Sequence, residues 1–455
     1  MNSKHHNGSI LRRVPLHWQI LIGMLAGLLL GYAAVQWDAW QGGDFGKTFI
    51  VNWVKPFGTI FINLLKLIAI PLIITSLVKG ISDLNETSKL SSLGLRTVAL
   101  YLMTTVVAVV VGLVIVNVVQ PGNSISDKTK AMLRENLSES DERKMESAEQ
   151  EKDKQDSSTP LQPLIDLVPG NIVGASANNR NMLQVIFCVV FFGIGLLTIP
   201  KERAQPVKDL FTGLNEVILR LIDFIMMAAP FGVLALLAAL VVEAPAADVF
   251  IALLWYCMCV IAGLAFMAFV FYPTLITCFT KTSPGTFFRG IAPAQLLAFS
   301  TSSSAATLPV TMKCVEEKLE VEKEVSSFVL PIGATVNMDG TCLYQAVAAV
   351  FISQIYEQDL NLSQQLTIVM TATLASIGSA AVPGAGLVML VIVLGAIGVP
   401  TEGIAFIFAV DRILDMCRTS VNVTGDATVS MLVAKSVGKL GRRDHVDAGD
   451  LANHR

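Results

Sequence analysis

The sequence predicts an all-α membrane protein, and three observations predict it. The 455 residues are 53% hydrophobic and only 15% charged, against about 25% charged in an ordinary globular domain. Long stretches carry no charge at all: Met182–Pro200, Phe224–Val242, Val249–Thr280 and Gln365–Thr401. Roughly 20 apolar residues, rising about 1.5 Å each, cross about 30 Å of hydrocarbon. These runs also lack the polar stripe that a helix of a soluble bundle turns to water. Finally, Lys and Arg gather in alternate connections, as the positive-inside rule requires of a multi-span chain.

Taken in order, the pattern gives spans at 16–36, 50–78, 94–120, 164–200, 207–242 and 247–280. Arg12 and Arg13 before "LHWQILIGMLAGLLLGYAAV" resemble a signal peptide, but the many later spans favour an uncleaved first helix. Lys4, Arg12 and Arg13 precede span one. Lys79, Lys89 and Arg96 follow span two, and Lys201, Arg203 and Lys208 follow span four. Lys281 and Arg289 follow span six, and Lys435, Lys439, Arg442 and Arg443 lie in the tail. All of these are expected on the cytoplasmic side, which puts both termini inside. The insert 123–160 is dense in both signs of charge and too poor in apolar residues to fold alone. It reads as a flexible external loop.

The second half changes character. "GIAPAQLLAFSTSSSAATLPVTMKC" is apolar but broken by a Ser/Thr run and a proline, with Arg289 before it and Lys313 and Lys318 at its end. It is expected to enter and leave on the same side. A helical span follows at 325–355. The run "LTIVMTATLASIGSAAVPGAGLVMLVIVLGAIGVP" is broken at Ser-Ala-Ala-Val-Pro-Gly, and its flanks hold no Lys or Arg. The last span is 403–435. The two breaks, "SSAATLP" and "GSAAVPG", resemble one another and open from opposite sides. Irregular backbone at membrane depth survives only where protein or a water-filled cavity covers it. Paired interrupted segments in inverted halves point to a transport site near the midplane.

The polar residues converge on that half. In "DRILDMCRTSVNVTGD", Asp411, Asp415, Arg418, Asn422 and Asp426 step by four, three, four and four. At about 100° per residue they share an arc of roughly 80°. Snorkelling suits Lys or Arg near a helix end, not aspartates over four turns, and a charge at mid-bilayer costs at least about 2.5–3.5 kcal/mol. The stripe is therefore read as functional. Arg412 lies off it, at the outer boundary or paired with Asp411. In "GATVNMDGT", Asn337 and Asp339 bracket one residue, which cannot face one side of a regular helix. An unwound turn there would gather carbonyls and Asp339 around a hard cation such as Na⁺. The histidines, at 5, 6, 17, 445 and 454, stay at or beyond the span ends, which excludes a histidine proton relay. The seven cysteines (188, 257, 259, 278, 314, 342 and 417) lie in or beside apolar runs and form no disulfide framework or spaced metal site.

Four ordered motifs, "TSSSAATLP", "NMDGT", "ASIGSAAVPGAG" and "DMCRTSVNVTGD", resemble the glutamate transporter family of dicarboxylate/amino acid:cation symporters. The resemblance implies a homotrimer whose protomers have eight transmembrane helices and two re-entrant hairpins. It also implies an elevator mechanism. By that likeness, residues 1–93 and 164–246 form a scaffold, and 94–122 with 247–438 form the moving transport domain. Residues 123–163 are then the external loop and 439–455 the cytoplasmic tail.

The resemblance further implies that Arg418 binds the substrate side-chain carboxylate and Asp415 its amino group. Ser304, Thr341, Val382, Ala385, Gly386, Thr419 and Asn422 complete the substrate set. For Na⁺, Gly333, Asn337, Asn422 and Asp426 resemble one site. Thr335, Met338, Ser376, Ile377 and Ser379 resemble a second, and Tyr101, Thr104, Thr105, Asn337 and Asp339 a third.

Departures from the family pattern refine this. Arg418 favours an acidic substrate and Asp415 an amino acid. Gln345 stands where animal carriers have a glutamate tied to proton coupling, and Ser302 and Met416 stand where a further arginine is usual. Ala381 replaces a glycine of the gate. The expectation is a Na⁺-coupled L-aspartate/L-glutamate symporter of the inner membrane, with Na⁺ as coupling ion, no cofactor, no enzymatic activity and no nucleic-acid partner. A C4-dicarboxylate carrier is the alternative. An intramembrane aspartyl protease built on Asp339 and Asp426 is the reading from another class.

Overall fold

The computed structural model describes residues 16–83, 91–135, 168–176, 182–243, 247–377 and 384–441. Among these the chain is helical almost throughout. The first half runs α1 (Leu16–Gln41), α2 (Phe45–Phe49), a π-helical turn (Ile50–Val54) and α3 (Lys55–Asp83). It continues through α4 (Ser91–Val119), α5 (Asp127–Glu135), α6 (Ile172–Ser176), α7 (Met182–Thr198) and α8 (Lys201–Glu243). Then come α9 (Ala247–Phe266), a second π-helical turn (Met267–Phe271) and α10 (Tyr272–Thr280). The second half holds α11 (Pro284–Thr301), α12 (Ser304–Glu317), α13 (Lys323–Val336) and α14 (Asp339–Ile355). It closes with α15 (Leu362–Ser376), α16 (Ala385–Ile397) and α17 (Ile404–Ser436). Among the described residues, five stretches are long and apolar enough to cross a bilayer: Trp18–Gln41, Phe45–Lys79, Gly94–Ser124, Lys201–Glu243 and Asp248–Thr280.

Several boundaries differ from the expected ones. The span read as 164–200 is not one helix: residues 168–171 are irregular, and the long helix begins only at Met182. The span read from 207 starts at Lys201, so Lys201, Arg203 and Lys208 lie on the first turns of α8 rather than in a loop. Pro206, the sixth residue, forfeits the i→i−4 bond to Glu202 O, yet the helix continues through it. The insert expected to be flexible begins with a 3₁₀ turn (Pro121–Ser124) and α5. It does not fold alone. The Asp248 carboxylate accepts from Ser126 N (2.8 Å) and Thr129 Oγ1 (3.1 Å), pinning α5 to the start of α9.

The helices pack in two groups. α8 lies along both α1 and α3, and α3 also carries α7. Dispersion and close approach, not water exclusion, hold such helices together in lipid. Gly27 and Gly31 show how. A Cβ on Gly27 would lie 2.5 Å from Leu234 O, and one on Gly31 would lie 2.8 Å from Ala238 O. In the other group α14 packs on α4, while α11, α13, α14 and α10 surround α17. Every residue of α14 except Gln354 is buried, which is why its sequence shows no polar face. The groups meet where α16 crosses α3 and where α8 reaches α17.

The expected breaks are visible. α11 and α12 form a helical hairpin whose corner is Ser302, left-handed at φ 51°. Ser303 follows as an extended N-cap accepting from Ala306 N at 3.2 Å. α15 and α16 pack side by side as a second hairpin. Its tip, 378–383, including Ala381, lies outside the described residues. The span read over 325–355 is interrupted where the unwound turn was expected, at Asn337 (φ −91°, ψ 94°) and Met338 (φ −121°, ψ 48°).

Candidate functional site

The interruption between α13 and α14 and the polar stripe of α17 face each other. Arg418 is fully buried, as are Tyr344 and Asp339. An unpaired buried charge is prohibitive, so the partners of Arg418 define the site. Its Nη2 donates to Asp415 Oδ1 at 2.9 Å. Its Nη1 lies 3.1 Å from Asp411 Oδ1, an ion pair whose alignment does not make a hydrogen bond. The guanidinium carbon sits 3.8 Å from the centre of the Tyr344 ring, a cation–π contact strengthened by the absence of water. Arg412, placed by the sequence near Asp411, instead approaches Asp415 Oδ2 at 3.6 Å. The same Oδ2 accepts from Gly384 N at 3.3 Å, which ties the stripe to the tip end of the second hairpin.

The remaining substrate candidates sit beside this cluster to different degrees. Asn422 Oδ1 accepts from Gly340 N (2.8 Å), and its Nδ2 donates to Thr341 Oγ1 (3.3 Å). A Cβ on Gly386 would lie 3.2 Å from Thr341 and 3.5 Å from the Arg418 guanidinium. Ala385 and Gly386 are buried in the first turn of α16. Thr419 turns its hydroxyl back to Asp415 O at 2.8 Å. Ser304 is buried at the start of α12, but among the described residues no hydrogen bond joins it to the stripe. Val382 lies outside the described residues.

Two oxygen clusters lie next to it. In the first, Asn337 Nδ2 donates to Asp426 Oδ1 (2.8 Å) and to Asn422 O (3.3 Å), while Asn337 Oδ1 is buried without a partner. A Cβ on Gly333 would collide with the Tyr101 hydroxyl and lie 2.5 Å from Asp426 Oδ1. In the second, Asp339 accepts from Thr105 Oγ1 and from Tyr272 OH, each at 2.7 Å. Tyr101 OH donates to Val329 O (3.1 Å) and Thr104 Oγ1 to Tyr101 O (3.0 Å). Among the remaining ion candidates, Ser376 Oγ reaches Val336 O at 3.3 Å, across the break, and Met338 is buried. Thr335 bonds only within its own helix, to Ile332 O (3.1 Å), and Ile377 is the extended cap of α15. Ser379 lies outside the described residues.

Sequence reasoning missed Tyr272 and Tyr344. Tyrosines inside apolar runs were the available signal: the Tyr272 O–H finds Asp339, and Tyr344 offers its ring face to Arg418. It also missed Lys66, whose ammonium pairs with Glu402 at 2.6 Å between α3 and the turn before α17. The aspartates of the protease reading do not share a proton. Asp339 is held by Thr105 and Tyr272, Asp426 by Asn337, and no hydrogen bond joins the two.

Comparison with known proteins identifies the family. The model of the sodium:dicarboxylate symporter family matches residues 16–436. The chain is 34% identical over 431 residues to the proton/sodium-glutamate symport protein of Geobacillus stearothermophilus, covering 94% of this chain and 96% of that one. It is 34% identical over 438 residues to the proton/glutamate-aspartate symporter of Escherichia coli K12, with 95% of each covered. Human excitatory amino acid transporter 3 is 38% identical over 418 residues, with 83% of this chain and 78% of that one covered. With its two helical hairpins, broken central helix and charged α17, the chain belongs to the sodium:dicarboxylate symporter family.

Proposed function

We propose that the protein is a Na⁺-coupled symporter of acidic amino acids, L-aspartate or L-glutamate, in the cell membrane. The observation that carries this is the buried Asp415–Arg418 pair, 2.9 Å apart, next to two oxygen clusters. A zwitterion with two carboxylates can replace the pair's mutual contact at two of its three charged groups. Its side-chain carboxylate takes the Arg418 fork, and its ammonium takes Asp415. Asp415 and Arg418 then each keep a partner, the α-carboxylate falls to polar groups such as Asn422, and Arg–carboxylate forks are strong because both bonds are charge-assisted. Asn422 would touch the substrate while its backbone carbonyl and Asp426 face the ion. Asp339, Asn337 and the backbone of the break supply the hard oxygens that Na⁺ prefers.

The mechanism we assign is an elevator. The α1/α3/α7/α8 group serves as scaffold, and α4 with α9–α17 serves as the moving unit. α11–α12 and α15–α16 act as re-entrant hairpins, α16 carrying the outer gate, in a homotrimer with cytoplasmic termini. The observation favouring a second reading, a C4-dicarboxylate carrier, is that Asp415 is already neutralised by arginines on both oxygens. Radiolabelled L-aspartate uptake into proteoliposomes separates the possibilities. Uptake should require an inward Na⁺ gradient and saturate. Uptake indifferent to Na⁺ would remove the coupling, and competition by succinate equal to that by L-aspartate would favour the dicarboxylate reading.

A further inference from the structure

Arg412 is a cation of the cluster to which the transport reading gives no role. Its side chain is 14% exposed, and its Nε is buried without a hydrogen-bond partner. It lines a small cavity with Asp411, Asp415 and Gly384, walled by Ile20, Met226, Leu387 and Phe408. Ile20 and Met226 belong to α1 and α8, Gly384 and Leu387 to the second hairpin. Apolar walls leave its field poorly screened, so its charge acts strongly on whatever Asp415 faces.

We propose that Arg412 is a specificity-determining residue that admits substrates lacking an amino group. The argument is one of charge. Asp411 and Asp415 need two positive partners. Arg418 serves both, at 3.1 and 2.9 Å, but a bound substrate carboxylate draws on the same guanidinium. Asp415 then depends on another cation. An amino acid brings its own ammonium, whereas a dicarboxylate brings none. Arg412, 3.6 Å from Oδ2, stands on the side of Asp415 away from the Arg418 bond. It keeps that carboxylate neutralised when the substrate cannot. The same positive charge repels an incoming ammonium, so it narrows the advantage of amino acids from both directions. Its attraction for carboxylates is common to both substrate types and cancels in their ratio.

This inference rests on the acidic-substrate reading above, and the experiment keeps the two separable. Full-length protein in proteoliposomes is assayed for Na⁺-driven L-aspartate uptake, with the half-inhibitory concentrations of succinate and unlabelled L-aspartate measured side by side. Arg412→Gln should raise the succinate-to-aspartate ratio by roughly tenfold, the size expected of one nearby, weakly screened charge. Arg412→Lys, which keeps the charge, should return most of that change. A ratio that stays at the wild-type value in Arg412→Gln overturns the proposal, as does an Arg412→Lys ratio equal to that of Arg412→Gln. Ligand-induced thermal shifts of the detergent-purified variants give the same ratio if Arg412→Gln is transport-dead, with the same two outcomes. Wild-type protein that takes up neither ligand overturns the acidic-substrate reading instead.

Discussion

Gly333→Ala probes the proposed ion cluster at a single atom. The added Cβ would lie 2.5 Å from Asp426 Oδ1 and closer still to the Tyr101 hydroxyl. Carbon and oxygen settle near 3.5 Å, so both oxygens must retreat by roughly 1 Å. Tyr101 is fully buried and bonded to Val329 O, and Asp426 is held by Asn337. A carboxylate displaced that far leaves an ion's first shell, where distances hold within about 0.2 Å. Overpacking of this kind costs about 1–3 kcal/mol, which corresponds to a loss of roughly 5- to 150-fold in Na⁺ affinity. The assay is the Na⁺ midpoint of thermal stabilisation, with choline chloride holding ionic strength constant. Ion binding to the folded state raises apparent stability by mass action. Gly213→Ala on α8 is the control, because nothing lies within 4 Å of its Cβ position. It should leave the Na⁺ midpoint alone and stabilise the helix by about 0.5–1 kcal/mol. A Gly333→Ala protein with the wild-type Na⁺ midpoint would refute the assignment of this cluster to the ion.

Two further substitutions test neighbouring parts of the account. Gln345 Nε2 donates to Gly386 O at 3.3 Å, next to the tip of the second hairpin. Glu at this position can donate only when protonated, so Gln345→Glu should make uptake rise as pH falls over a range in which wild type is flat. Parallel pH profiles for the two would contradict that role. Lys66 and Glu402 join the two helix groups through a pair 336 residues apart in sequence. Glu402→Gln should lower thermal stability and change the uptake rate. Adding Lys66→Met should recover part of the stability, with a coupling of about 0.5–3 kcal/mol in the double-mutant cycle. Additive losses would mean the pair carries no coupling.

The fold was legible where one physical signal dominated. Uncharged runs marked the long helices, and proline with Ser/Thr runs marked the corner at Ser302. The stripe on α17 followed from spacing alone, because a helix with buried aspartates has few alternatives. The break at Asn337–Met338 was visible because two polar residues two apart cannot share a helix face. What remained hidden depends on distant partners. Lys66 reads as a stray charge until Glu402 is brought to it, and Arg412, read as lying at the outer boundary or pairing with Asp411, reaches Asp415. An i,i+3 reach places Arg412 beside Asp415, just as an i,i+4 reach would have placed it elsewhere. The anchoring of α5 by Asp248 was equally hidden, since a locally solvent-loving segment gives no sign of a distant acceptor. Helix boundaries such as the start of α8 at Lys201 were missed because charged residues extend a helix beyond its apolar run.

The central claim is that Arg418 and Asp415 exchange their mutual ion pair for an acidic amino acid. Na⁺-driven L-aspartate uptake by Arg418→Gln, measured beside the charge-balanced double variant Arg418→Gln/Asp411→Asn, tests it most directly. The double variant guards against the cost of about 3–5 kcal/mol for leaving a buried charge without its partner. The account predicts that both lose at least about 100-fold in kcat/KM for L-aspartate, as two charge-assisted bonds of about 1.5–3 kcal/mol each are removed. Near-wild-type L-aspartate uptake by the double variant would contradict it.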